Sequence, residues 1–164
     1  MKIWLIRHAK SSWSEPGLRD FDRPLNKRGQ RDGPRMTTWL KGQSDPATWL
    51  WTSTAARAAA TARFVQEAFA ITDDAVVCTN ELYEAGPEQL LDVLRRTPES
   101  VTSVALVAHN PGLTWLANSL GSTAVTDNLP TFGVVRFDCS GPWHELRPGS
   151  ASFDFLASPK LIDP

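Results

Sequence analysis

The sequence predicts an α/β fold, a three-layer sandwich in which helices cover both faces of a mostly parallel central sheet. Three observations predict it. Short apolar runs alternate with helical segments through most of the 164 residues. One run, Val101–Ala108, is apolar nearly throughout, as a strand buried on both faces must be. The length, with 41% apolar and 21% charged residues, suits one globular domain over 1–164 with a sizeable core.

The elements follow in order. Lys2–Ile6 is a short β-prone run and reads as the first strand. Ala9–Leu25, with Pro16, Gly17 and Pro24, is a long polar loop. Asn26 can cap a helix to about Lys41, which Gly33 and Pro34 should kink or delay. Thr48–Thr52 is a second strand, after which Ser53 caps an alanine-rich helix to about Phe69. Ala75–Cys78 is a third strand. Pro87 opens the helix Pro87–Arg96, whose Leu90, Leu91 and Leu94 share one face. Val101–Ala108 is the central strand, and Pro111 begins a helix that ends before Gly121. Val134–Phe137 and His144–Leu146 read as two closing strands, joined by a hairpin at Gly141 and Pro142.

Composition excludes several classes. The net charge of -1, from 17 basic and 18 acidic residues, lacks the footprint of a nucleic-acid binder. No segment reaches the ~18 apolar residues that span a membrane. The opening MKIWLIRHAK is too short in its apolar part for a secretion signal, so a cytoplasmic protein is expected. Cys78 and Cys139 match neither a disulfide framework nor a zinc spacing and read as buried thiols. The 7 tryptophans, from Trp4 to Trp143, read as core and loop packing rather than a platform for stacking bases. No metal or other cofactor is expected.

In open α/β sheets ligands bind beyond the carboxyl ends of the strands. Arg7-His8-Ala9-Lys10 follows the first predicted strand, and Ser53 to Arg57 follows the second. Glu81-Leu82-Tyr83-Glu84 follows the third and His109-Asn110-Pro111-Gly112 the fourth. Two of the 3 histidines and two arginines therefore gather at one sheet edge. Each alone has an ordinary reading: a strand-end charge for Arg7, a helix-surface group for Arg57, a cap for His109, a surface acid for Glu84. Together they form a coherent site. Two guanidiniums suit phosphate oxygens, and a helix starting just after His109 would add backbone N–H groups. Phosphoryl transfer asks chiefly for positioning and charge stabilisation, and an imidazole can serve as the nucleophile. His144 reads as structural. Lys10 lies near the site but reads equally as a solvated charge, and Arg19 and Arg23, in the long first loop, could face an anionic partner; none is assigned a catalytic role.

These residues resemble the histidine phosphatase superfamily, the phosphoglycerate mutase-like group. Leu5-Ile6-Arg7-His8-Ala9-Lys10-Ser11 is similar to that family's Arg-His-Gly signature, with alanine replacing the glycine. S-T-A-A-R-A from Ser53 is similar to the segment of its second arginine, and Val107-Ala108-His109-Asn110 to its second-histidine motif. R-H-A-K-S, the R-P-L-N-x-R-G run from Arg23 and the later L-Y-E-A resemble the small SixA-like branch of phosphohistidine phosphatases. The chain has no room for the cap of larger relatives.

The resemblance implies roles. His8 would attack phosphorus and carry the phosphoryl group, while Arg7, Arg57 and His109 bind its oxygens. Ser14 falls where relatives place a phosphate-contacting asparagine. Glu84 falls where they place the proton donor, with Glu81 as its rival. Alanine at position 9 implies a negative φ there. The implied partner is a phosphorylated protein, such as a phosphohistidine-bearing phosphotransfer domain. The alternatives are a small phosphorylated molecule as substrate, or a non-catalytic phosphate-binding module.

Overall fold

The structure is a computed structural model and describes residues 1–163. Its strands are β1 (Lys2–Arg7), β2 (Trp49–Ser53), β3 (Val76–Thr79), β4 (Ser103–Ala108), β5 (Val134–Cys139) and β6 (Ala151–Ala157). Its helices are α1 (Lys27–Lys41), α2 (Ala56–Phe69), α3 (Pro87–Arg95), α4 (Gly112–Leu120) and the short α5 (Pro159–Ile162). The strands form one sheet in the order β3-β2-β4-β1-β5-β6. The first four run parallel; β5 and β6 are antiparallel additions on one edge. The α/β sandwich with a mostly parallel sheet is therefore the observed architecture.

Strand alternation divides the core between the two faces of the sheet. Ile3 and Leu5 of β1, with Val104 and Leu106 of β4, pack under α3 and α4. Trp4 and Ile6, with Ala105 and Val107, pack under α1 and α2. The stripe Leu90, Leu91 and Leu94 is buried, as its spacing predicts. All six residues of β4 are buried, which is why that run lacks polar alternation.

Four expectations need correction. The His144–Leu146 strand does not form: Trp143–Glu145 is a 3-10 turn, fastened by Trp143 Nε1 donating to the Val101 carbonyl at 2.8 Å. The closing strand is β6, which pairs with β5 and carries alternating Phe153 and Phe155. Gly33 and Pro34 do not delay α1, which runs from Lys27 through Pro34 to Lys41. Gly33 serves packing instead, since a Cβ there would lie 2.3 Å from the Phe64 ring of α2. Ser53 does not cap α2, whose N-cap is Ala55 with no side-chain cap bond. Of the two thiols, Cys139 is buried but Cys78 is exposed. The tryptophans divide as well: Trp4 and Trp143 are fully buried, whereas Trp13 and Trp115 are exposed. Among the described residues, no helix is long and apolar enough to cross a membrane.

Candidate active site

The parallel strands deliver the unusual residues to one place. β1 ends at Arg7, and the His8 N–H bonds the Ala108 carbonyl at the end of β4, at 3.2 Å. His109 is the next residue of that neighbouring strand, so the two imidazoles face each other with ring centroids 5.1 Å apart. The segment before β5 holds the end of β1 from its other side: Arg7 N–H donates to the Gly133 carbonyl and Phe132 N–H to that of His8, both at 3.0 Å. Arg57 arrives on the first turn of α2. Arg7, His8, Arg57 and His109 all line one cavity of about 250 Å³.

Hydrogen bonds fix which ring nitrogens are available. His8 Nδ1 lies 2.8 Å from the Ala9 carbonyl, which can only accept, so the proton sits on Nδ1 and Nε2 keeps its lone pair. Arg57 Nε–H points at that same Nε2 from 3.4 Å. The Ala9 peptide is held on its other side by Thr61, whose Oγ1 accepts from the Ala9 N–H at 2.9 Å. Ala9 lies outside the left-handed region, as expected for an alanine replacing the glycine. On the opposite wall, His109 Nε2 lies 2.8 Å from Ser53 Oγ. That oxygen already accepts from the Ala55 N–H at 3.2 Å, so its hydroxyl proton is free to go to Nε2. With Ser53 donating to Nε2, the ring carries its proton on Nδ1, a buried atom without a protein partner.

The electrostatics favour an anion. Among the described residues, Arg7, Lys10, Arg23 and Arg57 line the cavity against one carboxylate, Asp20. Burial, then the positive neighbours, keep the imidazoles neutral. His8 is pulled from 6.5 to about 4, by desolvation above all, with Arg57 and Arg7 adding to it against the Ala9 hydrogen bond. His109 is pulled to about 3, by desolvation first and then by His8 and Arg57. Arg7 falls below the ordinary guanidinium value through burial and the nearby Arg57. It keeps one protein acceptor, the Leu129 carbonyl at 2.8 Å, and its Nε has none. A neutral imidazole lone pair among unspent guanidinium donors can attack a phosphoryl group and stabilise the charge on its oxygens.

Asp20 organises the cationic wall. Arg57 Nη1 donates to its backbone carbonyl at 2.7 Å and Nη2 to its Oδ2 at 3.0 Å. Tyr83 OH donates to the same Oδ2 at 2.6 Å. The Tyr83 bond first, then Arg57 and Arg23, hold the Asp20 carboxyl below its ordinary range, while Tyr83 itself is pushed up to about 12. Asp20 is thus an ionised acceptor at neutral pH, not an acid.

Comparison with known proteins places the chain. A sequence model of the histidine phosphatase superfamily (branch 1) matches residues 3–89. The chain belongs to the histidine phosphatase superfamily. An uncharacterized Mycobacterium tuberculosis protein, Rv1276c, is 31% identical over 156 residues, covering 90% of this chain and 95% of that protein. A crystal structure from Agrobacterium tumefaciens, assigned as a phosphohistidine phosphatase SixA, superposes with a TM-score of 0.80 at 30% identity, over 96% of this chain and 97% of that one. The protein histidine phosphatase SixA in complex with tungstate shares the fold, with a TM-score of 0.82 at 23% identity, over 99% of this chain and 100% of that one. Within the superfamily this phosphatase is similar to the SixA branch.

Three expected features of the histidine phosphatase site are placed differently in the structure. Glu84 is exposed at φ 56 and does not line the cavity. Its rival Glu81 is turned away as well, paired with Arg96 Nη2 at 3.0 Å. Ser14 is exposed outside the cavity, its hydroxyl 2.8 Å from that of Ser12. The helix after His109 offers less than expected, because its first donors are spent internally. Leu113 N–H goes to the His109 carbonyl at 3.1 Å and Thr114 N–H to Asn110 Oδ1 at 3.2 Å.

Sequence reasoning also missed partners that the fold supplies. Asp20 and Tyr83 carry no role in the sequence reading, and Ser53 is expected there only as a helix cap. Arg23, set aside as a loop cation, is only 6% exposed and lines the cavity. The R-P-L-N run beginning at Arg23 was the signal that could have drawn attention to it.

Proposed function

We propose that this chain hydrolyses phosphohistidine in a phosphorylated protein through a covalent phosphoryl group on His8. The observation that carries the reading is the missing acid. Among the described residues the cavity holds a single carboxylate, and Asp20 is kept ionised by Tyr83 and two arginines. An alkoxide leaving group needs a proton in the transition state. A phosphohistidine ring brings its own, because once protonated it departs as a neutral imidazole.

The chemistry runs in two displacements. His8 Nε2 attacks phosphorus, the substrate P–N bond breaks, and the protonated ring leaves with the bond electrons. Arg7, Arg57 and His109 Nδ1–H take the non-bridging oxygens, where charge accumulates. Water then attacks the phosphoryl group on His8. The His8 N–P bond breaks, Nε2 regains its lone pair, and the water protons leave on phosphate and to solvent. The substrate class named for the SixA neighbours agrees with this reading. A cytoplasmic location is part of the same proposal.

Labelled phosphohistidine protein tests the proposal, comparing wild type with His8→Ala. An acid-labile, base-stable label on wild type, lost in the variant, is the expected result. Rapid turnover of alkyl phosphate esters with no action on phosphohistidine would reverse the reading in favour of a small-molecule phosphatase. Phosphate binding without any label or release would make the chain a binding module.

A further inference from the structure

Trp13 is the most exposed large hydrophobic side chain of the described residues, at 74%, and it lines the cavity that holds His8. Because this indole borders a cavity, a ligand ring that covers it would gain the apolar burial that its exposed face forgoes. Trp13 is also held still. Ser12 N–H donates to the Pro24 carbonyl at 2.8 Å, Ser11 bridges Leu25, and Asn26 N–H bonds the Lys10 carbonyl at 3.0 Å. The chain is therefore tied to the approach of α1 over the three residues that lead into the tryptophan.

Beneath the indole lies Arg23, its guanidinium carbon 3.4 Å from the ring centroid. That guanidinium is buried, and its Nη2 donates to Ser11 Oγ. Its Nε and Nη1 are buried with no hydrogen-bond acceptor, although Nε stands 3.6 Å from Asp20 Oδ1. A continuous set of contacts thus joins the nucleophile to the indole: His8 to Arg57 at 3.4 Å, Arg57 to Asp20 at 3.0 Å, Asp20 to Arg23, and Arg23 to Trp13. One indole face rests on the cation. The side chain as a whole stays exposed beside the cavity it lines, within reach of a group that carries the phosphoryl. Trp115, the other exposed tryptophan, does not line this cavity.

We infer that Trp13 is a stacking platform for a planar ring attached to the phosphoryl group, with Arg23 as the residue that positions it. The inference rests on the phosphatase chemistry above and sharpens it. Trp13 favours a phosphoryl group borne on an aromatic ring, such as an imidazole, over one on a flexible alkyl chain or none at all. Aromatic pairs contribute about 0.5–1.5 kcal/mol beyond area burial, which corresponds to about two- to tenfold in kcat/KM.

The test compares ringed and ringless substrates of each bond type: phosphohistidine against phosphoramidate, and phenyl phosphate against ethyl phosphate. Trp13→Leu keeps an apolar cover on Arg23 while removing the ring, and Trp13→Phe restores a ring. The expected result is a fall of about fivefold in the ringed-to-ringless ratio of kcat/KM for Trp13→Leu, with most of it recovered in Trp13→Phe. Arg23→Gln, with a melting temperature measured beside it, should lower the same ratio. An unchanged ratio in Trp13→Leu overturns the platform. Wild type that hydrolyses only the esters sinks the phosphohistidine reading, while the ester pair still decides the platform. Wild type that turns over none of the four overturns both.

Discussion

Lowering the pH should spare this phosphatase well past the point at which an ordinary histidine nucleophile stops working. His8 is only 6% exposed, and burial first, then Arg57 and Arg7, pull it from 6.5 to about 4. At 1.36 kcal/mol per pH unit, the pocket disfavours the imidazolium by about 3 kcal/mol. Once corrected for the substrate's own ionisation, kcat/KM for phosphohistidine should therefore stay level from about pH 8 to about pH 5 and fall only below that. The assay is phosphate release across that range, with an NMR titration of the His8 ring in the free enzyme beside it. The same shift bears on folding. A folded-state value below the unfolded one means that the unfolded chain binds more protons, so stability declines as pH falls from about 6.5 toward 4. His109 acts in the same sense. An inflection in kcat/KM near 6.5, matched by His8 titrating there, would refute the reasoning, because it would show a solvated ring rather than a desolvated one.

Other perturbations separate the parts of the site. Glu84→Gln should leave phosphohistidine turnover within about twofold, whereas loss of a true general acid costs on the order of 10²-fold; stopped assays on purified variant decide between them. Arg57→Ala removes the donor aimed at His8 and the partner of Asp20, and kcat should fall on the order of 10²–10³-fold; a loss below tenfold would strip Arg57 of its assigned role. Gly112→Ala would set a Cβ 2.1 Å from the Ala85 carbonyl oxygen, a backbone atom with little room to give. Denaturant titration should show a loss of about 1–3 kcal/mol or more.

The order of strands and helices was legible because burial writes itself into pattern. The unbroken apolar run of β4 and the Leu90, Leu91, Leu94 stripe leave few other foldings. The site was half legible for the same reason: Arg7, His8 and His109 sit directly at strand ends, so placing the strands places them. What failed depended on contacts distant in sequence. The expected strand His144–Leu146 fails because Trp143–Glu145 is a 3-10 turn whose Trp143 is bonded to Val101, 42 residues away. Asp20 gives no local sign that it will receive both Arg57 and Tyr83. Glu84 holds the motif position of a proton donor, yet in the fold it is exposed, with a backbone φ of 56. Gly33 was read as a helix weakness, when its purpose is to admit the Phe64 ring.

Arg57 and Thr61 lie four residues apart on α2, and the Thr61 hydroxyl donates to the Arg57 carbonyl at 2.8 Å while receiving the Ala9 N–H. One rigid rod therefore carries both the cation that we propose binds phosphate and the peg that sets the peptide facing the His8 ring. The spacing between them cannot be retuned by altering loops. It moves only if the whole rod turns or slides, and Val65 and Phe69 in the core resist that. Selection can thus rework the Trp13 loop and the cavity mouth for new leaving groups while the reacting centre stays in register. Drift in the buried face of α2, far from any substrate, is where activity would be lost without a site residue changing.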